Sequence, residues 1–126
     1  MTPVSAEWVR TVCMALPHTT ETVQWGDDLV FKIGGKMYAA VPLEPAANAK
    51  ALLSFKCTEE GFDELIERPG IIPAPYLARA HWVSLEDPAA MTKTEIRKRL
   101  AEAYAIVLST LPKKVRTTLA QGTLEA

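Results

Sequence analysis

The sequence is poor in the residues that usually announce chemistry. It holds two cysteines, Cys13 and Cys57, and two histidines, His18 and His81, in 126 residues. The cysteines form no Cys-X-X-Cys pair, and the four residues lack zinc-ligand spacing. A reduced chain without metal or cofactor is expected, and the expected location is the cytoplasm. Long apolar runs are also missing. The longest, Ala103–Leu108, is about six residues, against the roughly 20 that cross a bilayer. Met1 to Trp8 has neither a basic nor an apolar stretch, so neither a signal peptide nor a membrane partner is expected. HExxH helices, Walker loops and dinucleotide glycine fingerprints are absent, and no enzyme is expected. Net charge is scarce as well, at −1, where a nucleic-acid-binding domain is usually basic.

What is present is apolar content and a segregation of charge. Hydrophobic residues make up 48 % and the length suits one domain, so residues 1–126 are read as a single domain able to bury a core. Residues 1–92 carry 7 positive and 12 negative side chains, and residues 93–116 carry 7 positive and 2 negative. An acidic body is followed by a basic C-terminal segment.

Hydrophobic spacing supplies the elements. Thr2 and Pro3 suit the start of a helix. Trp8, Val12 and Leu16 make its apolar stripe, widened by Val9 and Cys13, and Pro17 ends it. Leu29–Ile33 and Lys36–Leu43 read as strands joined through Gly34-Gly35, which supply positive φ for a tight turn. Glu44–Lys50 reads as a loop and Leu52–Lys56 as a third strand, with Leu53 and Phe55 facing one way. Thr58 caps a short helix whose buried side is Phe62, Leu65 and Ile66, closed by Pro69-Gly70. Ile71–Leu77 reads as a proline-punctuated connection and His81–Leu85 as a fourth strand. Thr92 and Glu95 form a capping box for the longest helix, Lys93 to Leu111, with Ile96, Leu100, Ala103, Tyr104, Val107 and Leu111 as its stripe. A last helix runs from Lys113 to Gln121, with Gly122 placed to end it. The expected fold class is α+β, an antiparallel sheet of about four to five strands packed against helices.

Several stretches, in order along nearly the whole chain, resemble the MmcQ/YjbR family of small bacterial proteins. They are Thr20-Glu-Thr-Val-Gln-Trp-Gly26, Val30-Phe-Lys-Ile-Gly-Gly-Lys-Met-Tyr38, Phe55-Lys-Cys57, Ile71-Ile-Pro-Ala-Pro-Tyr-Leu77 with His81-Trp82, and Leu111-Pro-Lys-Lys114. One position departs: the family often has Ser-Tyr in the long helix, and here Ala103-Tyr104 stands there, without the serine hydroxyl. The resemblance implies a frataxin-like (CyaY-like) fold and a DNA-binding role through winged, basic hairpin surfaces.

The residues are read for chemistry beside that resemblance. DNA binding needs cations placed to displace counterions from phosphate. Lys32 and Lys36 flank the glycine turn, Lys56 lies on a neighbouring strand, Arg79 precedes the fourth strand, and Lys113 and Lys114 follow Pro112. These six are the expected phosphate contacts, with low sequence specificity. Lysines at a hairpin tip also serve as plain solubilising, edge-protecting residues. A second reading takes Trp25, Lys36, Lys56, Tyr76, His81 and Trp82 as a pocket for an anionic or aromatic small molecule. Against it, the aromatics fit a core in which each keeps one polar edge. A third pairs the acidic helix (Glu59, Glu60, Asp63, Glu64, Glu67) with the basic C-terminal helices of another copy, leaving monomer or homodimer open. That acidic helix is otherwise a solvated face, and the first helix, with Glu7 as its sole carboxylate, does not suit iron. Cys57 and His81 are the one nucleophile–base pairing on offer, but small buried cysteines are common. No catalytic and no metal residue is assigned. The deciding question is geometric: whether Lys32 and Lys36 share a side with Lys113 and Lys114, away from Glu59 to Glu67.

Overall fold

Gly34 and Gly35 adopt φ of +60° and +83°, and the hairpin they turn is the middle of the sheet's longer half. The computed structural model describes residues 5–24, 28–43, 53–74 and 77–125, without the side chains of Pro88 and 120–125. In chain order the elements are α1 (Ala6–Met14), β1 (Thr20–Gln24), β2 (Asp28–Ile33), β3 (Lys36–Pro42), β4 (Leu53–Lys56), α2 (Glu59–Leu65), β5 (Ile71–Pro73), β6 (Trp82–Leu85), α3 (Lys93–Thr110) and α4 (Lys113–Glu125). The strands form one six-stranded antiparallel sheet in the order β1-β2-β3-β4-β6-β5. The molecule is therefore a single α+β domain with six strands, more than the four to five expected. Both unforeseen strands are edges. β1, Thr-Glu-Thr-Val-Gln, shows no apolar alternation because, among the described residues, it has a neighbour on one side alone, and β5 is three residues ending in Pro73.

One face of the sheet carries the core. Leu29 pairs with Val41, Phe31 with Ala39, Ala39 with Phe55, Phe55 with Val83, and Leu53 with Leu85. These residues are buried in one cluster with Val9 and Cys13 of α1, Leu65 of α2 and Ile96, Leu100, Ala103 and Val107 of α3. The register between β2 and β3 slips at Phe31/Lys32, so that Tyr38 faces no partner residue. This bulge lets Tyr38 join Ala39 in the core. The stripe on α1 lies about one residue round from its sequence reading: Val9 and Cys13 are fully buried, while Trp8, Val12 and Leu16 are half-buried.

The helix ends differ in detail from expectation. Thr2 and Pro3 lie outside the described residues, and Ser5 caps α1 by accepting from the Trp8 N–H at 3.1 Å. Thr92 caps α3, accepting from the Glu95 N–H at 3.1 Å. The Glu95 carboxylate does not complete the capping box. It pairs with Arg68 at 2.8 Å instead, tying α3 to the chain after α2. α4 runs through Gly122 to Glu125, because one glycine weakens a helix without breaking it. The loop expected over Glu44–Lys50, and Leu52, lie outside the described residues.

Candidate nucleic-acid interface

The hairpin tip is pressed against the corner between α3 and α4. A Cβ built on Gly34 would sit 2.5 Å from Leu111 Cδ1 and 3.3 Å from Val115 Cγ1. Glycine suits the position, because φ is positive and any Cβ would push the Leu111 side chain aside. The contact brings the first turn of α4, with Lys113 and Lys114, to the end of the molecule where Lys36 leaves the turn. Lys36, Lys113, Lys114 and Arg116 are exposed, and Lys32 is half-buried. Among the described residues none of these five makes an ion pair, whereas Arg10, Arg68 and Arg99 each hold a carboxylate.

The other two expected contacts reach the same end by the strand register. Ala39 pairs with Phe55, so Lys36 and Lys56 both lie towards the tip from that pair. Lys56 is opposite Trp82, and Arg79 sits exposed in the turn just before. Lys56 is not free: its ammonium donates to the Ala80 carbonyl. Partial burial pulls its pKa below the ordinary lysine value, with Cys57 offsetting a little.

The acidic residues are not remote. α2 begins at Glu59, three residues after Lys56, and Glu59, Glu60, Asp63, Glu64 and Glu67 are exposed without ion pairs among the described residues. Lys32 and Lys36 thus share an end with Lys113 and Lys114, and the start of the acidic helix flanks that end beyond β4. The basic C-terminal segment is itself divided. α3 has 18 residues and spans about 27 Å at 1.5 Å per residue. Lys93 and Arg97, near its start, stand 4.9 and 5.7 Å from the Trp8 ring in cation–π contacts. Sequence reasoning missed that cluster, since nothing local links Trp8 to residues 93 and 97.

The pocket set is dispersed in role. Trp25 and Tyr76 lie outside the described residues. Trp82 is 2 % exposed. His81 adopts φ of +62° at the start of β6, and its ring meets Phe62 edge-on at 5.7 Å. Cys57 and His81 are joined through the backbone, Cys57 N–H donating to the His81 carbonyl at 2.8 Å. Burial pushes the Cys57 thiol up to about 11 and the Cys13 thiol up to about 12, so both are protonated at neutral pH. Among the described residues no group of three or more His, Cys, Asp or Glu could hold a metal, and no helix is long and apolar enough to cross a membrane.

Two tyrosines explain part of the motif pattern. The Tyr38 hydroxyl lies 3.0 Å from Thr19 Oγ1 and donates to the Cys13 carbonyl at 3.3 Å. The Tyr104 ring meets Tyr38 edge-on at 5.6 Å, and its hydroxyl donates to the Pro17 carbonyl at 2.7 Å. Together they fasten the α1–β1 connection to the sheet and to α3. These motif positions therefore do structural work.

Comparisons with known proteins agree with that layout. A search of curated proteins finds no match. Among solved structures, protein DR2400 of Deinococcus radiodurans, with a DUF419 domain, is similar at 30 % identity with a TM-score of 0.79, covering 92 % of this chain and 88 % of that one. A protein from Pseudomonas syringae is similar at 20 % identity with a TM-score of 0.65, covering 82 % of this chain and 99 % of its own. The YjbR family model matches residues 14–106, from α1's last residue to about one turn before the end of α3. With most of the chain inside that match, the protein belongs to the YjbR family.

Proposed function

We propose that this chain binds DNA with low sequence specificity, through phosphate contacts from Lys32, Lys36, Lys113 and Lys114, with Lys56 and Arg79 at the margin. The supporting observation is the seat of Gly34 against Leu111 and Val115, which gathers cations from two distant stretches at one end. These lysines have no carboxylate partner among the described residues. Lysine ammonium groups act as point charges on phosphate and carry little base information. The reading includes the frataxin-like layout that the family resemblance implies. It also accommodates a net charge of −1, because attraction needs one basic end and not a basic molecule.

The test is duplex affinity by fluorescence anisotropy at two salt concentrations. Wild type should bind with a dissociation constant near ~10⁻⁵ M that weakens as salt rises. Lys32→Glu/Lys36→Glu should lose that binding and flatten the salt slope by about 2, near 0.9 per phosphate contact. Absence of salt-dependent binding in the wild type would sink the reading.

A further inference from the structure

The two edges of the sheet are guarded very differently. β5 is three residues long and ends in Pro73, which offers no N–H to a newcomer. β1 is five residues, Thr20-Glu-Thr-Val-Gln24, with an unbroken register against β2 from Thr20↔Lys32 to Gln24↔Asp28. It has no proline, no lysine and no bulge, and these are the usual devices that keep an edge from pairing. Its single charge is already neutralised, because Arg10 Nε donates to both Glu21 carboxylate oxygens at 2.8 and 2.9 Å. Three of its residues are β-branched, which favours further strand pairing.

Apolar surface lines the same border. Val23 is 54 % exposed and Met14 is 38 % exposed, two of the three exposed large hydrophobics among the described residues. Arg10 and Met14 are four apart on α1 and so share a face. Since Arg10 reaches Glu21, Met14 looks towards β1 as well.

We infer that β1 is the docking edge for β1 of a second copy of this chain, paired antiparallel about a two-fold axis at Thr22. The sheet would then continue across both molecules as twelve strands. In that register Thr22 meets Thr22 of the second copy, Thr20 meets Gln24, and Glu21 meets Val23. Polar residues meet polar residues on one face. On the other, Val23 lies against the aliphatic stem of an arginine whose charge is already matched. No like charges stand opposite one another, which would otherwise oppose pairing.

The side-chain pattern of β1 is thus complementary to itself, and this singles out a second copy as the occupant. A strand pair about a two-fold axis is an isologous contact and closes at two molecules. Five residues a side fall short of the roughly 1,200 Å² that stable interfaces bury, so Met14 and Val23 must contribute and the dimer is a weak, concentration-dependent one.

The experiment is mass by light scattering at rising concentration, with three variants. Wild type should move from monomer to dimer. Val23→Glu places a carboxylate opposite Glu21 of the second copy and should raise the dissociation constant at least ~10-fold. Val23→Thr, still β-branched, should dimerise like wild type. Thr22→Cys should form a symmetric disulfide under mild oxidation, since residues directly opposite lie within bridging reach; Cys13 and Cys57 are buried and do not compete. Val23 is exposed, so circular dichroism should show both position-23 variants folded. A wild type that stays monomeric overturns the inference. So does a dimer that Val23→Glu leaves intact and Thr22→Cys fails to cross-link.

Discussion

The β2–β3 hairpin has a root and a tip that obey different rules, only two residues apart. At the root, Tyr38 is fully buried, its hydroxyl partnered by Thr19 and the Cys13 carbonyl and its ring by Tyr104. At the tip, Lys36 is exposed and makes no ion pair among the described residues. Both belong to the stretch that resembles the family. A shared motif can therefore hold one residue that builds the fold and another that stands exposed at its surface. Only burial and hydrogen bonding tell them apart.

The largest effect should come from breaking the root. Tyr38→Ala should cost about 3–5 kcal/mol, the range for removing a buried aromatic ring, read from denaturant midpoints. Lys36→Ala should stay within about 0.5 kcal/mol of wild type. Equal effects would erase the distinction between root and tip.

The two turn glycines sharpen the comparison further. Gly34→Ala and Gly35→Ala both pay for a side chain at positive φ, about 1–2 kcal/mol. Gly34→Ala must also displace Leu111, while a Cβ on Gly35 meets nothing within 4 Å. Thermal melts should rank Gly34→Ala clearly below Gly35→Ala, and the gap measures how firmly the tip is held against α4.

A smaller effect should appear in alkali. Unfolded thiols titrate near 9, and the folded Cys57 and Cys13 are held up to about 11 and about 12 by burial. A raised folded pKa means stability is complete below pH 9 and drains away as pH climbs through 11 to 12. Burial raises Tyr38 in the same direction, while Lys56, lowered and half-exposed, offsets slightly. Urea midpoints should be level between pH 7 and pH 9 and fall above it. The Cys13→Ala/Cys57→Ala variant, whatever its absolute stability, should fall less steeply over that window.

Much of the fold was legible because its signals were local. Gly34-Gly35 marked the hairpin, the alternation of Leu53 and Phe55 marked β4, and the spacing of Ile96, Leu100, Ala103 and Val107 marked α3. β1 and β5 were not legible, since edge strands need not alternate and Pro73 masked the second. Glu95 looked like a capping partner because a sequence cannot show Arg68 waiting nearby. The six expected phosphate contacts could be named but not assembled. What brings Lys36 to the end that carries Lys113 and Lys114 is the contact of Gly34 with Leu111, and no local pattern relates positions so far apart. The same limit hid Trp8 beside Lys93 and Arg97.

The hydrogen bond from Tyr104 to the Pro17 carbonyl joins residues 87 apart in the chain. It has a consequence for the chain as it emerges during synthesis. Every strand among the described residues is complete by Leu85, yet α3, which packs on Phe31, Tyr38 and Phe55, begins only at Lys93. The sheet is therefore made before α3, the last of the helices that roof its core. An early strand pair has little to gain by committing before α3 arrives, since non-local contacts repay their ordering cost only once closed. The fold is settled from its C-terminal end, by the segment whose far corner also seats the hairpin tip.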